Sequence, residues 1–215
     1  MKEKVLVAGF ATRHIAQSAF AAGYEVYAVD HFCDQDLRFY AKEAMAFDEL
    51  GELEGAVAEM CERHSPDLIV AASGAEALAT RDLCGTPKDK VERYLDKLST
   101  HRFFEETGVP APRLLSHGVY PAMIKPRRGS GGWRNAIVRN NSEFSRLMEK
   151  YDNLPFLSEE IVAGTPSSVC CLATGSSAIA VAINRQILRG SGEAAFGFSG
   201  SVTPFLSDAV PLMVR

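Results

Sequence analysis

What this sequence lacks removes several kinds of protein from consideration. It has no apolar run long enough to span a bilayer and no basic-plus-apolar leader, so no membrane partner is expected and cytoplasmic residence is the expectation. Its five cysteines, Cys33, Cys61, Cys84, Cys170 and Cys171, are odd in number and show no Cys-x-x-Cys spacing. That pattern argues against a disulfide framework and a zinc site, leaving reduced core or surface thiols. The five histidines are scattered, with no His-Glu-x-x-His grouping, and no transition-metal site is expected. Positive charge is not in excess: the net charge is −4, which argues against a general nucleic-acid binder. Gly9 is followed by Phe-Ala-Thr-Arg, so the Gly-x-Gly-x-x-Gly fingerprint of dinucleotide sites is missing. There is no internal repeat and no low-complexity segment.

What is there is a chain of 215 residues, 47% hydrophobic and 23% charged, long enough for one large domain or two small ones. Residues 4–9 form an apolar run that stops at Gly9, as a buried parallel strand does. A helical pattern from Thr12 to Ala22 carries Ile15, Ala19 and Ala22 on one stripe and ends at Gly23. Glu25–Asp30 reads as a second strand, completing a strand-helix-strand crossover. Asp30 stands where the ribose-binding acid of a nicotinamide enzyme would, but without the glycines a Rossmann-like scaffold is the better reading.

A helix is expected from about Glu52 to His64, with Leu53, Val57, Met60, Cys61 and His64 on one face. Asp67–Ala72 follows as a third strand. Ser73, Gly74 and Glu76 at its tip belong either to a cleft or to a structural turn. Lys88–Leu95 reads as a helix, and a further helix from Asp96 is stopped by Gly108 and two prolines.

One later stretch, Tyr120-Pro-Ala-Met-Ile-Lys-Pro-Arg-Arg-Gly-Ser-Gly-Gly-Trp133, delivers a lysine from a short apolar strand into a glycine-rich loop. Strand alternation puts Ala122 and Ile124 on one face and Met123 and Lys125 on the other. Pro126 has no amide hydrogen for a ladder, so regular pairing should stop just after the lysine. Gly129, Gly131 and Gly132 allow successive amide hydrogens to point into one concavity, a common way of cradling a phosphate. Read alone, the stretch is either part of a nucleotide triphosphate site or a solvated basic loop carrying Lys125, Arg127 and Arg128. An amphipathic helix through Phe144, Leu147, Met148 and Tyr151 follows, then a strand over Phe156–Val162. A hairpin is expected from Ser168–Ala173 and Ala178–Ile183 about Gly175-Ser-Ser177, with Cys170 and Cys171 on opposite sides of their strand. Ala195–Pro204, rich in glycine and aromatics, reads as a loop close to a ligand or another backbone.

The order of these pieces is informative. A Rossmann-like opening leads to Asp96-Lys97-Leu-Ser-Thr-His-Arg-Phe-Phe104, Gly108-Val-Pro110, Met123-Ile-Lys-Pro126 with its glycine-rich loop, and Glu159-Glu-Ile-Val162 before Gly164-Thr-Pro-Ser-Ser-Val169. This succession closely resembles the ATP-grasp superfamily, which includes biotin carboxylase, carbamoyl-phosphate synthetase and D-alanine-D-alanine ligase. Asn184-Arg-Gln186, Phe196-Gly-Phe-Ser-Gly200 and Thr203-Pro204 look like the ATP-grasp carboligases of archaea. The resemblance implies an α/β chain: a Rossmann-like pre-ATP-grasp domain at residues 1–96 and an α+β ATP-grasp domain at 97–215, incomplete at its C-terminus. Within the second, a lid subdomain would occupy about 97–157 and a partial C-terminal subdomain about 158–215.

The resemblance also implies roles. Lys97 and Lys125 match lysines that contact ATP phosphates, and Gly129, Ser130, Gly131 and Gly132 match the mobile lid over them. Glu159, Glu160, Ile161 and Val162 match the hinge whose backbone reads the adenine edge, with Ile161, Val162 and Ile124 or Met123 as apolar flanks. A solvated acidic turn is the other reading of Glu159-Glu160. The implied reaction is attack of a small carboxylate on the γ-phosphate, giving an acylphosphate and ADP, followed by an amine or thiol nucleophile. Arg185, flanked by Asn184 at a strand end, would hold the substrate carboxylate or the transferring phosphoryl group, or else form a surface ion pair.

Two departures stand out. Where relatives place a ribose-binding glutamate, this chain has Thr165-Pro-Ser-Ser168, with Ser168 able to make one hydrogen bond. The family's Mg²⁺ ligands, an acidic residue and a later Glu-x-Asn, do not follow Thr203-Pro204. Asp208 is a poor substitute, so the ligands are expected beyond Arg215 in a longer or naturally shortened protein. A homodimer is compatible with the resemblance. The competing functions are a non-catalytic ATP-binding module and, as an outsider, a nicotinamide oxidoreductase using Asp30.

Overall fold

The structure, a computed structural model, describes residues 2–192 and 194–206; Asp208 lies outside them. The chain divides into two compact units, Met1–Tyr94 and Leu95–Arg215.

In the first unit β1 (Lys4–Gly9), β2 (Glu25–Asp30), β3 (Glu43–Ala46) and β4 (Leu68–Ala71) form a parallel sheet in the order β3-β2-β1-β4. Helices α1 (Arg13–Ala21), α2 (Gln35–Tyr40) and α3 (Leu53–His64) connect the strands. Alternation along β1 and β2 splits their side chains between two cores. Leu6, Ala8, Tyr27 and Val29 pack with Leu53, Val57 and Met60 of α3. Val5, Val7, Val26 and Ala28 pack with Ala16 of α1 and Leu37 of α2. Burial on both faces is why these strands read as continuous apolar runs.

The pair α2 and β3 is not evident from sequence pattern. α2 has six residues and is started by Asp34, whose carboxylate accepts from the Leu37 amide at 2.8 Å. β3 has four, placed by pairing with β2. The helix expected over Lys88–Leu95 is shorter: α4 covers Lys88–Val91, and a 3₁₀ turn takes Glu92–Tyr94.

The second unit opens with α5 (Lys97–Thr107), capped by Asp96 and closed by Gly108 at φ +71°. Strands β5 (Ala122–Pro126), β6 (Ala136–Val138) and β7 (Phe156–Glu159) form an antiparallel sheet in the order β6-β5-β7. Between β6 and β7 runs α6 (Asn141–Lys150), whose Phe144, Leu147 and Met148 pack on Ala122, Ile124 and Val138. A second antiparallel sheet holds β8 (Ser167–Ala173), β9 (Ala178–Leu188) and β10 (Phe198–Val202) in the order β10-β9-β8.

Three expectations are corrected here. β7 ends at Glu159, not Val162, because the Glu160 amide turns to the Arg113 carbonyl and residues 161–165 are exposed and outside any strand. β9 runs to Leu188, so Asn184, Arg185 and Gln186 are mid-strand rather than at a strand end. The segment expected as a loop over Ala195–Pro204 contains β10, whose pairing with β9 overrides the loop signal of Gly200. The β8–β9 ladder shifts register between Cys170 and Cys171, and all five cysteines are free. No helix among the described residues is long and apolar enough to cross a membrane.

Candidate functional site

The candidate nucleotide site is built around the end of β5. Burial alternates along this strand, with Ala122, Ile124 and Pro126 buried and Met123 and Lys125 half-buried, so Lys125 leaves the face opposite the α6 core. Ile124 belongs to that core and cannot flank a base on the Lys125 side, whereas Met123 can. Pro126 is still paired, with Phe156, and the Arg127 amide donates to Pro155, so the β7 side of the ladder extends just past the lysine. On the β6 side pairing stops at Ile124.

The start of α5 is fastened to this strand end. Asp96 accepts from the amides of Leu98 at 2.9 Å and Ser99 at 3.4 Å, and from Arg127 Nε at 3.2 Å. A second Arg127–Asp96 contact makes the pair bidentate. The Arg127 guanidinium, then the two amides, hold the Asp96 carboxyl below its usual range. The Lys97 amide donates to the Arg127 carbonyl at 2.8 Å. From this anchored position the Lys97 ammonium donates to the Gly129 carbonyl at 2.5 Å. Burial, then the charges of Lys125 and Arg134, push the Lys97 amine down from its ordinary value, against the pull of Asp96 and Glu159. Two lysines separated by 28 positions therefore share one field.

The loop itself runs with Gly129 at φ +112° and Gly131 and Gly132 at φ +70°. Among the described residues, the amides of 129–132 donate to no protein acceptor, as an anion cradle requires. The loop is docked elsewhere: the Gly131 carbonyl accepts from the Phe198 amide at 2.8 Å. A Cβ on Gly132 would stand 2.3 Å from the Phe196 carbonyl oxygen. Trp133 fills the gap, close enough to Gly131 and Gly197 that a Cβ on either would meet its ring at 2.7 and 3.1 Å. The Arg189 guanidinium lies 4.7 Å from the Trp133 ring centroid. A cavity of about 450 Å³ opens beside the loop, lined by Asp96, Pro126, Arg127, Arg128, Gly129 and Arg134 among others, but not by Lys97 or Lys125.

On β7 the two glutamates differ. The Glu160 amide donates to the Arg113 carbonyl, and its carboxylate accepts from the Arg113 amide, both at 2.9 Å. That amide is therefore unavailable to a base; of the expected readers, the exposed Ile161 and Val162 keep their amides free of described partners. Glu159 is 6% exposed and its Oε2 lies 2.5 Å from the Lys125 ammonium. Glu159 is therefore not solvated, whereas the Glu160 side chain is 40% exposed.

In the other sheet Asn184 faces Ser168 across the β8–β9 ladder, its Nδ2 3.4 Å from Ser168 Oγ, and Thr203 Oγ1 donates to Asn184 Oδ1 at 2.5 Å. Arg185 pairs with Ser167 and Val202 and points to the opposite face. Strand alternation thus puts the candidate residues Asn184 and Arg185 on different faces of the sheet. No group of three or more His, Cys, Asp or Glu among the described residues is placed to hold a metal ion. The outsider role for Asp30 finds its carboxylate saturated: it accepts from the Thr12 amide and hydroxyl at 2.5 and 2.8 Å and from the Phe32 and Cys33 amides at 2.8 Å.

A family model described as an ATP-grasp domain matches residues 94–214, more than half of the chain. No curated protein matches the sequence. Among solved structures, L-amino acid ligase from Bacillus licheniformis is similar with a TM-score of 0.70 at 17% identity, over 99% of this chain and 57% of that one. N5-carboxyaminoimidazole synthetase from Staphylococcus aureus gives 0.70 at 14% identity, over 99% and 61%. The biotin carboxylase domain of Hydrogenobacter thermophilus 2-oxoglutarate carboxylase, with MgADP, ADP and bicarbonate, gives 0.69 at 16%, over 87% and 51%. The chain thus spans between half and about three-fifths of the length of these relatives.

Proposed function

Since the chain belongs to the ATP-grasp domain family, we propose that residues 97–215 bind ATP and serve a ligase that activates a small carboxylate as an acylphosphate for attack by an amine or thiol. Residues 1–96 are then the pre-ATP-grasp domain, and the protein works in the cytoplasm, alone or as a homodimer. The observation that carries this reading is that Lys97, donating to the Gly129 carbonyl, shares its field with Lys125 beside a loop whose four amides have no protein acceptor among the described residues. Dispersing phosphate charge needs such groups, and the two lysines act as electrostatic clamps rather than bases. The base lies against Met123, Ile161 and Val162, read by backbone of the Glu159–Val162 hinge other than the Glu160 amide. Ser168 and Asn184, joined with Thr203, form a polar row for the ribose or the substrate, while Arg185 serves a carboxylate or phosphoryl group on the other face.

Magnesium accompanies ADP in one similar structure, but the described residues offer no cluster of carboxylates for it, and no step is routed through the ion. The second reading is an ATP-binding module without turnover. Mg-ATP is expected to raise the melting temperature of the native chain and to lose that effect in Lys125→Ala; an unshifted native chain would count against nucleotide binding. ADP release with a panel of carboxylates and amines separates ligase from module, since any substrate-dependent turnover eliminates the latter.

A further inference from the structure

The hinge reading uses only the backbone of Glu159, yet its side chain lies against the strand lysine. In the β5–β7 register Met123 faces Glu159 and Lys125 faces Leu157, so Lys125 and Glu159 are diagonal neighbours on one face of the sheet. The Glu159 side chain is 7% exposed and that of Lys125 26%. Oε2 lies 2.5 Å from Nζ, but the approach is too oblique for a formed hydrogen bond, and the oxygen has no other partner among the described residues. A carboxylate buried with a single partner depends on that partner for its charge balance. The dependence runs the other way as well. Lys125 shares its field with Lys97 and Arg134, and Asp96 and Glu159 oppose this crowding of cations, Glu159 being the one in direct contact with Lys125. A flexible four-carbon stem left between like charges would turn away from them, towards water.

We propose that the Glu159 carboxylate is a positioning group: it holds the Lys125 ammonium in place, ready for the phosphates, before any nucleotide arrives. The proposal rests on the reading of Lys125 as a phosphate contact, and it adds a side-chain role to a residue whose family role is carried by the backbone. It is a role in orientation and touches no reacting atom.

Replacing Glu159 by leucine keeps the β7 backbone, and with it any reading of the base, but removes the anchor. Glutamine keeps an oxygen able to accept from Lys125. ATP and adenosine binding are measured by calorimetry for the native chain, E159L, E159Q, K125M and the double variant K125M/E159L. Native-like far-ultraviolet dichroism and a cooperative melt are required of each. E159L is expected to weaken ATP about tenfold, the size of coupling found between contacting residues. The loss should be larger for ATP than for adenosine, E159Q should recover most of it, and E159L should change ATP binding less than about twofold when added to K125M. Equal ATP affinity in E159L and the native chain, or an equal loss in both backgrounds, overturns the positioning role while leaving the nucleotide site intact. Absence of ATP binding in the native chain overturns the nucleotide reading and this role with it. Should E159L fail to fold, the melts of K125M and K125M/E159Q decide: a pair predicts that E159Q recovers stability lost in K125M by relieving an orphaned buried charge, and no recovery overturns the pair.

Discussion

Asp96 does three jobs at once: it caps α5, receives both arms of Arg127, and sets where Lys97 begins. Its carboxyl is held low first by the Arg127 guanidinium. A carboxylate with a depressed native value contributes stability above its unfolded value near 3.9, and that contribution is lost as pH falls through the native value. Arg127→Met should therefore cost about 1 kcal/mol at neutral pH, a modest figure because the arginine end is partly in water. The gap between the two melting curves should close as pH falls below about 4; a gap independent of pH would assign the loss to packing of the arginine stem. The sequence pattern starts this helix at Asp96 itself, which the structure makes its cap. The bidentate pair was not legible, since Arg127 lies 31 positions away and nothing local joins them.

Among the elements, those with a full helical or strand period are evident from sequence: α1, α3, α5, α6, β1 and β2 bury one stripe or both faces and say so in their spacing. Short elements set by a neighbour are not, which is why β3 and β10 appear only through their pairing with β2 and β9. The glycine-rich loop belongs to both classes. Its freedom of backbone was readable, but its seat against Phe196 and Phe198 depends on β10. Gly132→Ala puts a Cβ 2.3 Å from the Phe196 carbonyl oxygen, at a φ of +70° that alanine resists. We expect it to release the loop at a cost of about 1–3 kcal/mol. Trp133, the only tryptophan, should then emit at longer wavelength and be quenched more by acrylamide. Unchanged emission would show that the indole does not need this seat.

The whole molecule consists of two units with separate cores, and each should report its own perturbation. Asp30→Asn replaces an acceptor by a donor among four donor groups and is expected to destabilise the first unit by about 2–3 kcal/mol. In calorimetry it should lower one transition, while Mg-ATP raises the other. A single transition moved by both would show that the units unfold together.

At this scale the sequence by itself determined the order of the motifs, the two-sided burial of β1 and β2, the face on which Lys125 emerges and the stop of α5 at Gly108. These follow from periods of two and 3.6 residues and from single-residue backbone preferences, which act within a few positions. Only the tertiary structure decided that Glu159 meets Lys125, that Arg113 occupies the Glu160 amide, that Asp30 is saturated, and that β9 continues through Asn184 and Arg185 instead of ending before them. Each of these depends on register or chain closure across 16 or more positions for all but the local turn at Asp30, and no local preference encodes such a register.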